Sequence, residues 1–463
     1  MTKEKLKKII NIASILLAVV AIILIIVLIA GKNGKNNDKK DKNPEKTSVI
    51  VINPTIAPTA EPTEEPTAEP TPEPITFEDY TIVSAGDAML YASMVDCAKK
   101  LGAKNGTALD FSDLTKYVKP IISDADLAVF NLEATMSGAK NYTYYPEFDV
   151  PDEFITTLKE TGFDVALFAN NHVYDTRHEG LIRTQELMKS LGNFEVMGAR
   201  KSVDEKSYGT VKVGEMTLGI LNYTYEAPPE EEEYSAESKF LNGIRLDKED
   251  IPLVDSFNYN LLDNFYKEVE TRISDLKENN AEFITMYIHW GEEYEEHANE
   301  NQRKIAQKLC DLGVDLIVGS HPHVVQPVET FTSDNGHKML CYYSTGNLTS
   351  AQNRKTFKSG DDPGKYTENE LLVIVKIRRY SNGETAILHA DYEPLWQHRH
   401  DEDGRLQLPV VPVRKALADD AAKDEYGLTK SSFGVEHAKW ALDYITSLVQ
   451  PGIDEFNNGI TLP

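Results

Sequence analysis

Sulfur ligands and excess positive charge are what this chain has least of. Three cysteines, Cys97, Cys310 and Cys341, are scattered through 463 residues. That number and spacing exclude a disulfide scaffold and a four-cysteine zinc site. All three sit in apolar contexts and read as buried thiols. Lys and Arg total 48 against 74 Asp and Glu, a formal net charge of −26. A general nucleic-acid binder carries a basic footprint, so no nucleic-acid partner is expected. The deficit is uneven. Residues 1–76 hold 10 Lys and Arg and 9 Asp and Glu, which leaves 38 and 65 for residues 77–463, a net of −27. A hydrophobic content of 41 % still supplies a sizeable core and excludes a wholly disordered chain.

The one long apolar run is at the start. Residues 9–30 are interrupted only by Asn11 and Ser14 and preceded by Lys3, Lys5, Lys7 and Lys8. About 20 such residues span a bilayer core. A cleaved signal has a shorter apolar region ending in a small-x-small site, whereas this run ends Leu28-Ile29-Ala30 and no cysteine follows to take a lipid. The expectation is an uncleaved anchor: a cytoplasmic tail over 1–8, a transmembrane helix over 9–30, and a single-pass protein of the cell membrane. Residues 31–76 read as a linker, first Lys/Asn-rich, then Pro/Thr/Glu-rich with a loose PTxEP repeat. Frequent prolines favour extended polyproline conformation, which suits a spacer holding an extracellular domain, residues 77–463, away from the membrane.

In that domain short apolar runs alternate with amphipathic stretches. Candidate strands are 81–84, 127–130, 165–168, 218–221, 283–288, 316–318, 339–343 and 371–377; candidate helices include 179–191, 304–312 and 435–449. Strand–helix alternation predicts an α/β domain with a mostly parallel sheet flanked by helices. Core motifs fill 80–394, and 395–463 form a less regular extension. The run Glu230–Glu233 reads as a solvated loop, and His398-Arg399-His400-Asp401, followed by Glu402-Asp403-Gly404, as a surface turn.

The apolar runs give way to polar clusters. The strand ends carry Asp87; Glu133; Asn170, Asn171, His172 and Asp175; His289, Trp290, Glu292 and Glu293; Ser320, His321 and His323; and Asn347. Ligands of open α/β sheets bind outside the carboxyl ends of the strands. These residues would therefore converge as a set of imidazole, carboxylate and amide ligands without sulfur, suited to a divalent cation of the Mn, Zn, Fe or Mg class.

As an ordered set, GDAML, NLEAT, ANNHVYD, IHWGEEY, GSHPHVVQPVE and YSTGNL resemble the bacterial capsule-synthesis family called CapA, associated with poly-γ-glutamate biosynthesis. That family in turn resembles the calcineurin-like metallophosphoesterases. The resemblance implies a layered metallophosphoesterase-like fold and metal ligands at Asp87, Glu133, Asn171, His289, His321 and His323. It also implies a catalytic His172, with Asp175 beside it, and a pocket completed by Asn170, Trp290, Glu292, Glu293, Ser320 and Asn347. Met89 departs from the pattern, because it stands where a DxH motif has its histidine, and a thioether is a poor ligand for a hard cation. Two functions are expected from this resemblance: a metal-dependent hydrolase or transferase, or a non-catalytic subunit that binds, exports or anchors polymer. In either case the partners are an anionic capsule polymer or its precursor, the membrane and other capsule-synthesis subunits. A domain of net charge −27 repels an anionic polymer at long range, so its encounter needs a local positive feature.

Overall fold

In the computed structural model, residues 75–229, 235, 237–355, 363–402, 404–460 and 462 are described. The predicted tail and span, almost all of the linker, and Glu230–Glu233 lie outside them. Among the described residues no helix is long and apolar enough to cross a membrane.

The apolar runs are strands because both of their faces are covered, which makes them hydrophobic without alternation. The chain first lays down β1 (Phe77–Ala88), β2 (Leu127–Leu132), β3 (Val165–Leu167) and β4 (Glu195–Met197). These four run parallel in the order β1-β2-β3-β4. Next come β5 (Gly209–Val213), β6 (Met216–Tyr225), the small hairpin β7 (Phe240–Leu241) and β8 (Ile244–Arg245), and β9 (Ser256–Phe257). They are followed by β10 (Phe283–His289), β11 (Leu316–Ser320), β12 (Val328–Thr332) and β13 (Lys338–Tyr342). A second sheet has the order β12-β13-β11-β10-β6-β5, parallel through β13, β11, β10 and β6 with antiparallel edges. The chain then returns to the first sheet as β14 (Asn369–Tyr380) and β15 (Thr385–Gln397), forms the hairpin β16 (His400–Glu402) and β17 (Arg405–Gln407), and adds β18 (Val410–Pro412). The first sheet is thus β18-β15-β14-β1-β2-β3-β4, with β14, β15 and β18 antiparallel.

The expected mostly parallel centre is thus split between two mixed sheets, each parallel in its middle. Side chains alternate across each strand, and this sorts the core into layers. Ile82 and Val129 of the first sheet share one core with Leu218, Tyr287 and Val318 of the second. The neighbours Val83 and Phe130 face the other way, onto α1 (Ala92–Asn105), α2 (Asp152–Thr161) and α3 (Arg177–Ser190). Ile284 and Met286 face α4 (Leu262–Glu278) and α5 (Glu300–Leu312). The order is helix, sheet, sheet, helix. A hydrogen bond between the Ser84 and Tyr287 hydroxyls, 2.9 Å apart, ties β1 to β10 across the interior.

Local signals place the helices. Asn299 and Gln302 form a reciprocal capping box at the start of α5, and Gly313 ends it in the left-handed region. The expected last helix is α6 (Gly434–Asn458), which packs against β12 and β15, one strand from each sheet. The 395–463 extension is more regular than expected, and it corrects one reading. His398 is fully buried, stacked between Trp396 and His400 with ring centroids 4.7 and 4.3 Å away. The exposed turn begins only at Asp401, whose side chain accepts from the Gly404 N–H. The sequence HRHDEDG looks uniformly polar, yet its first histidine packs as an aromatic ring. Cys310 and Cys341 are buried as expected, whereas Cys97 is half-buried.

Candidate metal centre

The parallel strands of both sheets deliver their carboxyl ends to one place. Asp87 ends β1, Glu133 follows β2, Asn170 to His172 follow β3, His289 ends β10, and His321 and His323 follow β11. The backbone there is forced. β1 and β2 slip register between Ala85 and Asp87, and a Cβ on the intervening Gly86 would sit 2.0 Å from the Gly346 carbonyl oxygen, so only glycine fits. His321 and His323 hold φ of +97° and +58° on either side of Pro322. Non-glycine residues held in this region cost of order 1–3 kcal/mol each and cluster at functional sites. Here the turn lets the His321 N–H donate to Asp87 Oδ2 at 3.2 Å while both rings enter the site.

Glu133 is the centre of the arrangement. It is fully buried, and neither carboxylate oxygen has a hydrogen-bond partner among the described residues. Around Oε1 stand three imidazole nitrogens: Nε2 of His289 at 3.6 Å, of His323 at 3.8 Å and of His172 at 3.9 Å. Buried His321 Nδ1 also lacks a partner. Donor atoms within 4.8 Å of one another form the groups Glu133-His289-His321, Asp87-Glu133-His323 and Glu293-His321-His323. Glu133 is common to the first two. Burial, and then the charge of Asp87, hold its carboxyl well above the usual carboxylate range. Burial and the neighbouring imidazoles hold His289 and His321 well below the usual histidine range. Burial alone would lower His323 too, but Glu133 and Asp87 outweigh it and push it up to about 10. An unsatisfied buried carboxylate costs free energy unless a charge compensates it. Orphaned carboxylate and imidazole atoms aimed at a common point fit a divalent cation bound by oxygen and nitrogen.

The supporting contacts fix each ring. His289 Nδ1 lies 2.8 Å from Ser320 Oγ, and its Nε2 lies 2.8 Å from Asn171 Oδ1. His323 Nδ1 lies 3.1 Å from Asp87 Oδ2 and 2.9 Å from Asn347 Oδ1, which directs its Nε2 toward Glu133. His172 Nδ1 lies 2.7 Å from Asp175 Oδ2, which also accepts the Phe148 N–H at 2.6 Å. Asp175 Oδ1 accepts from Asn242 at 3.1 Å. An imidazole so committed at Nδ1 presents Nε2 to the centre as a proton donor or acceptor.

Of the other expected pocket residues, Asn170 donates to the Leu132 carbonyl at 2.7 Å and shapes the turn. Trp290 donates to the Tyr343 carbonyl at 2.9 Å and stacks on Tyr343, so it supports the site from behind. Glu293 is exposed at the rim and joins a donor group, whereas exposed Glu292 joins none among the described residues. Met89 packs in the apolar core, and the Tyr91 hydroxyl donates to its sulfur at 3.8 Å. The site also holds residues that the motif reading passed over. Asn131 donates to Asp87 Oδ1 at 2.8 Å, and the Tyr225 ring lies 4.6 Å from His321. Asn131 stands inside a motif already recognised, two residues before Glu133, and was legible; Tyr225 and Asn242 come from distant segments and carry no local signal.

Comparison with known proteins agrees with the motif reading. Residues 81–352 match the family model of the bacterial capsule synthesis protein PGA_cap. The PGA biosynthesis protein CapA of Bacillus subtilis is 28 % identical over 330 residues, 70 % of this chain and 76 % of that one. The capsule biosynthesis protein CapA of Bacillus anthracis is 27 % identical over 324 residues, 69 % of this chain and 67 % of that one. Among solved structures, a phosphatase of Mycoplasma pneumoniae aligns with a TM-score of 0.34 at 11 % identity, over 69 % of this chain and 95 % of that one. The sulfate thiohydrolase SoxB of Thermus thermophilus aligns with a TM-score of 0.34 at 12 % identity, over 79 % and 60 %.

Proposed function

This chain belongs to the bacterial capsule synthesis protein family, and on that premise we propose that it is a membrane-anchored envelope protein with a metal-dependent hydrolase or transferase site. Its domain is extracellular, and it acts on an anionic capsule polymer or a precursor of one, beside other capsule-synthesis subunits. One observation carries the reading: the fully buried, unpartnered Glu133 carboxylate ringed by three imidazole nitrogens.

The residues that would hold a cation are Glu133, His289 and His321 on one side, with Asn171 beside His289, and Asp87 and His323 on the other. Bound there, a divalent cation would polarise a phosphoryl or acyl oxygen and lower the pKa of water. His172 has a separate task. Asp175 fixes its tautomer and orientation, so its Nε2 delivers a proton to a leaving group or takes one from an attacking water. Ser320 and Asn347 orient His289 and His323 through the ring nitrogens that face away from Glu133. Asn131 and the His321 N–H hold the Asp87 carboxylate by one bond to each oxygen. The Tyr225 ring against His321 narrows access for solvent on that side.

The test is metal analysis of the purified full chain, in detergent, after equilibration with Mn²⁺ or Zn²⁺, alongside His321→Ala. The wild type retains metal and His321→Ala loses most of it. A wild-type chain that retains none defeats the mechanism. A second reading is favoured by Met89, whose burial in the core leaves the centre one ligand poorer than the DxH pattern. In that reading the chain binds, exports or anchors polymer without turnover. It predicts no cleavage of phosphoester or glutamyl substrates, and capsule formation that a folded His321→Ala variant still restores.

A further inference from the structure

Next to the centre opens a cavity of about 390 Å³ whose wall includes Tyr91, Tyr144, Tyr145, Gln352 and Arg399. Arg399 is its only charged lining residue among the described residues. It is half-buried, sits between β15 and β16, and makes no ion pair among the described residues. In a domain of net charge −27, a half-buried guanidinium without a carboxylate is out of keeping with its surroundings. Its five donors form a planar fork matched to carboxylates. Tyr145, 68 % exposed, extends the aromatic wall of Tyr91 and Tyr144. Gln352 on the cavity wall is linked to the centre by hydrogen bonds. This side chain donates to the Tyr294 hydroxyl at 3.2 Å and accepts from Asn347 at 3.3 Å, and Asn347 Oδ1 lies 2.9 Å from His323 Nδ1. On its other side Arg399 also lines a smaller cavity of about 70 Å³, bordered by exposed Lys355, which likewise makes no ion pair among the described residues.

We propose that the tyrosine-lined cavity is the polymer-binding arm of the site: a carboxylate-bearing chain lies along the tyrosine wall, with one carboxylate on Arg399 and a later one at Lys355. The inference rests on the reading of the strand-end centre as the place where polymer is handled, and it supplies what that reading lacks. A strongly acidic domain needs local positive charge to receive an anionic chain, and Arg399 and Lys355 provide two cations that make no ion pair among the described residues. The tyrosine faces pack against methylenes and planar amide or sugar units between successive carboxylates.

The probes are fluorescently labelled poly-γ-glutamate and labelled polygalacturonate, whose shared chemistry is a repeated carboxylate. Their binding to the full chain in detergent is read by anisotropy for the wild type, Arg399→Gln, Arg399→Lys and Tyr145→Ala. Removing a charge-assisted carboxylate contact weakens binding roughly tenfold, so Arg399→Gln falls by about that factor and Arg399→Lys by less. Tyr145→Ala, a change at an exposed position, falls several-fold. If only one polymer responds to Arg399, that polymer is the source of the carboxylate. Binding of both polymers to Arg399→Gln within twofold of wild type overturns the proposal, as does absence of measurable binding to the wild type. Repeating the titration in His321→Ala separates the two claims. An Arg399 dependence that survives there, together with a wild-type chain that holds no metal, upholds the binding arm while the metal mechanism fails.

Discussion

Two groups of histidines are sequestered in this protein under opposite electrostatic conditions. At the strand ends, His289, His321 and His323 surround Glu133 and Asp87. In the C-terminal part, His398 and His400 are buried beside Trp396 and half-buried His437, and they join no metal-ligating group with an acid among the described residues. The first group has strained backbone at two histidines, an orphaned carboxylate and a hydrogen-bond partner on the outward nitrogen of His289 and His323. The second has stacked rings, and neither nitrogen of His398 has a hydrogen-bond partner among the described residues. Histidine content alone does not mark a metal site. What distinguishes one is the company of buried acids and contacts that commit one ring nitrogen so that the other is aimed.

The comparison breaks most sharply at Glu133. Glu133→Gln keeps the shape and removes the shared charge. Metal content after equilibration with Mn²⁺ or Zn²⁺ should drop to background, a loss of at least about a hundredfold in affinity, since it removes a ligand and not merely a group supporting one. In contrast, His398→Phe should leave metal content unchanged. Equal metal retention in Glu133→Gln and wild type would erase the distinction between the two clusters.

A second separation lies within the strand-end group, between holding metal and moving protons. Asp175→Asn preserves the volume but leaves His172 with the wrong tautomeric preference, as in other Asp–His pairs. Turnover of a phosphoester or glutamyl substrate should fall about 10²–10⁴-fold with KM and metal content nearly unchanged. Parallel loss of metal would show Asp175 to be part of the ligand scaffold instead.

Much of this was legible in the chain. The runs at 127–130, 283–288 and 316–318 are apolar save for Thr285 because each strand has a covered face on both sides, so no alternation was available to mislead. The polar residues after them are legible for the same reason: they are the first groups past the buried run that reach solvent or a ligand. The division into two sheets was not. The parallel centre of each sheet has the same run-then-polar pattern, and the separating feature, the β5–β6 hairpin, differs from a crossover only by its shortness. Among site residues, Asn242 and Tyr225 reach the centre through long-range folding. His398 was misread because its neighbours Arg399 and Asp401 are charged, whereas its burial follows from stacking on Trp396, two residues earlier at the buried end of β15.

His398 then offers a comparison in pH. Burial and the nearby His400 and His437 push its imidazole down to about 3, against an ordinary 6.5. The unfolded chain binds a proton below pH 6.5 that the folded chain refuses. The neutral ring's contribution is therefore complete above 6.5 and is lost progressively as the pH falls toward 3. His398→Phe removes that linkage. Relative to wild type it should gain about 2 kcal/mol between pH 7 and pH 5, read from urea midpoints. An unchanged difference between the two pH values would mean that His398 is accessible to protons in the folded state.

The smallest effect tests the outward nitrogens. Ser320 Oγ lies 2.8 Å from His289 Nδ1, and nothing in the C-terminal cluster holds His398 in this way. Ser320→Ala deletes one neutral hydrogen bond, worth about 1 kcal/mol. The ring of His289 remains packed within the fully buried end of β10, so folding is spared and only its aim and tautomer loosen. Metal affinity should fall roughly tenfold, the lower end for a group that orients a ligand, with the melting midpoint of the metal-free chain nearly unmoved. If affinity is unchanged, the Asn171 contact to Nε2 alone orients His289, and the two clusters differ only in the presence of acids. If it falls as expected, the second requirement, a committed outward nitrogen, is shown to carry part of the difference by itself.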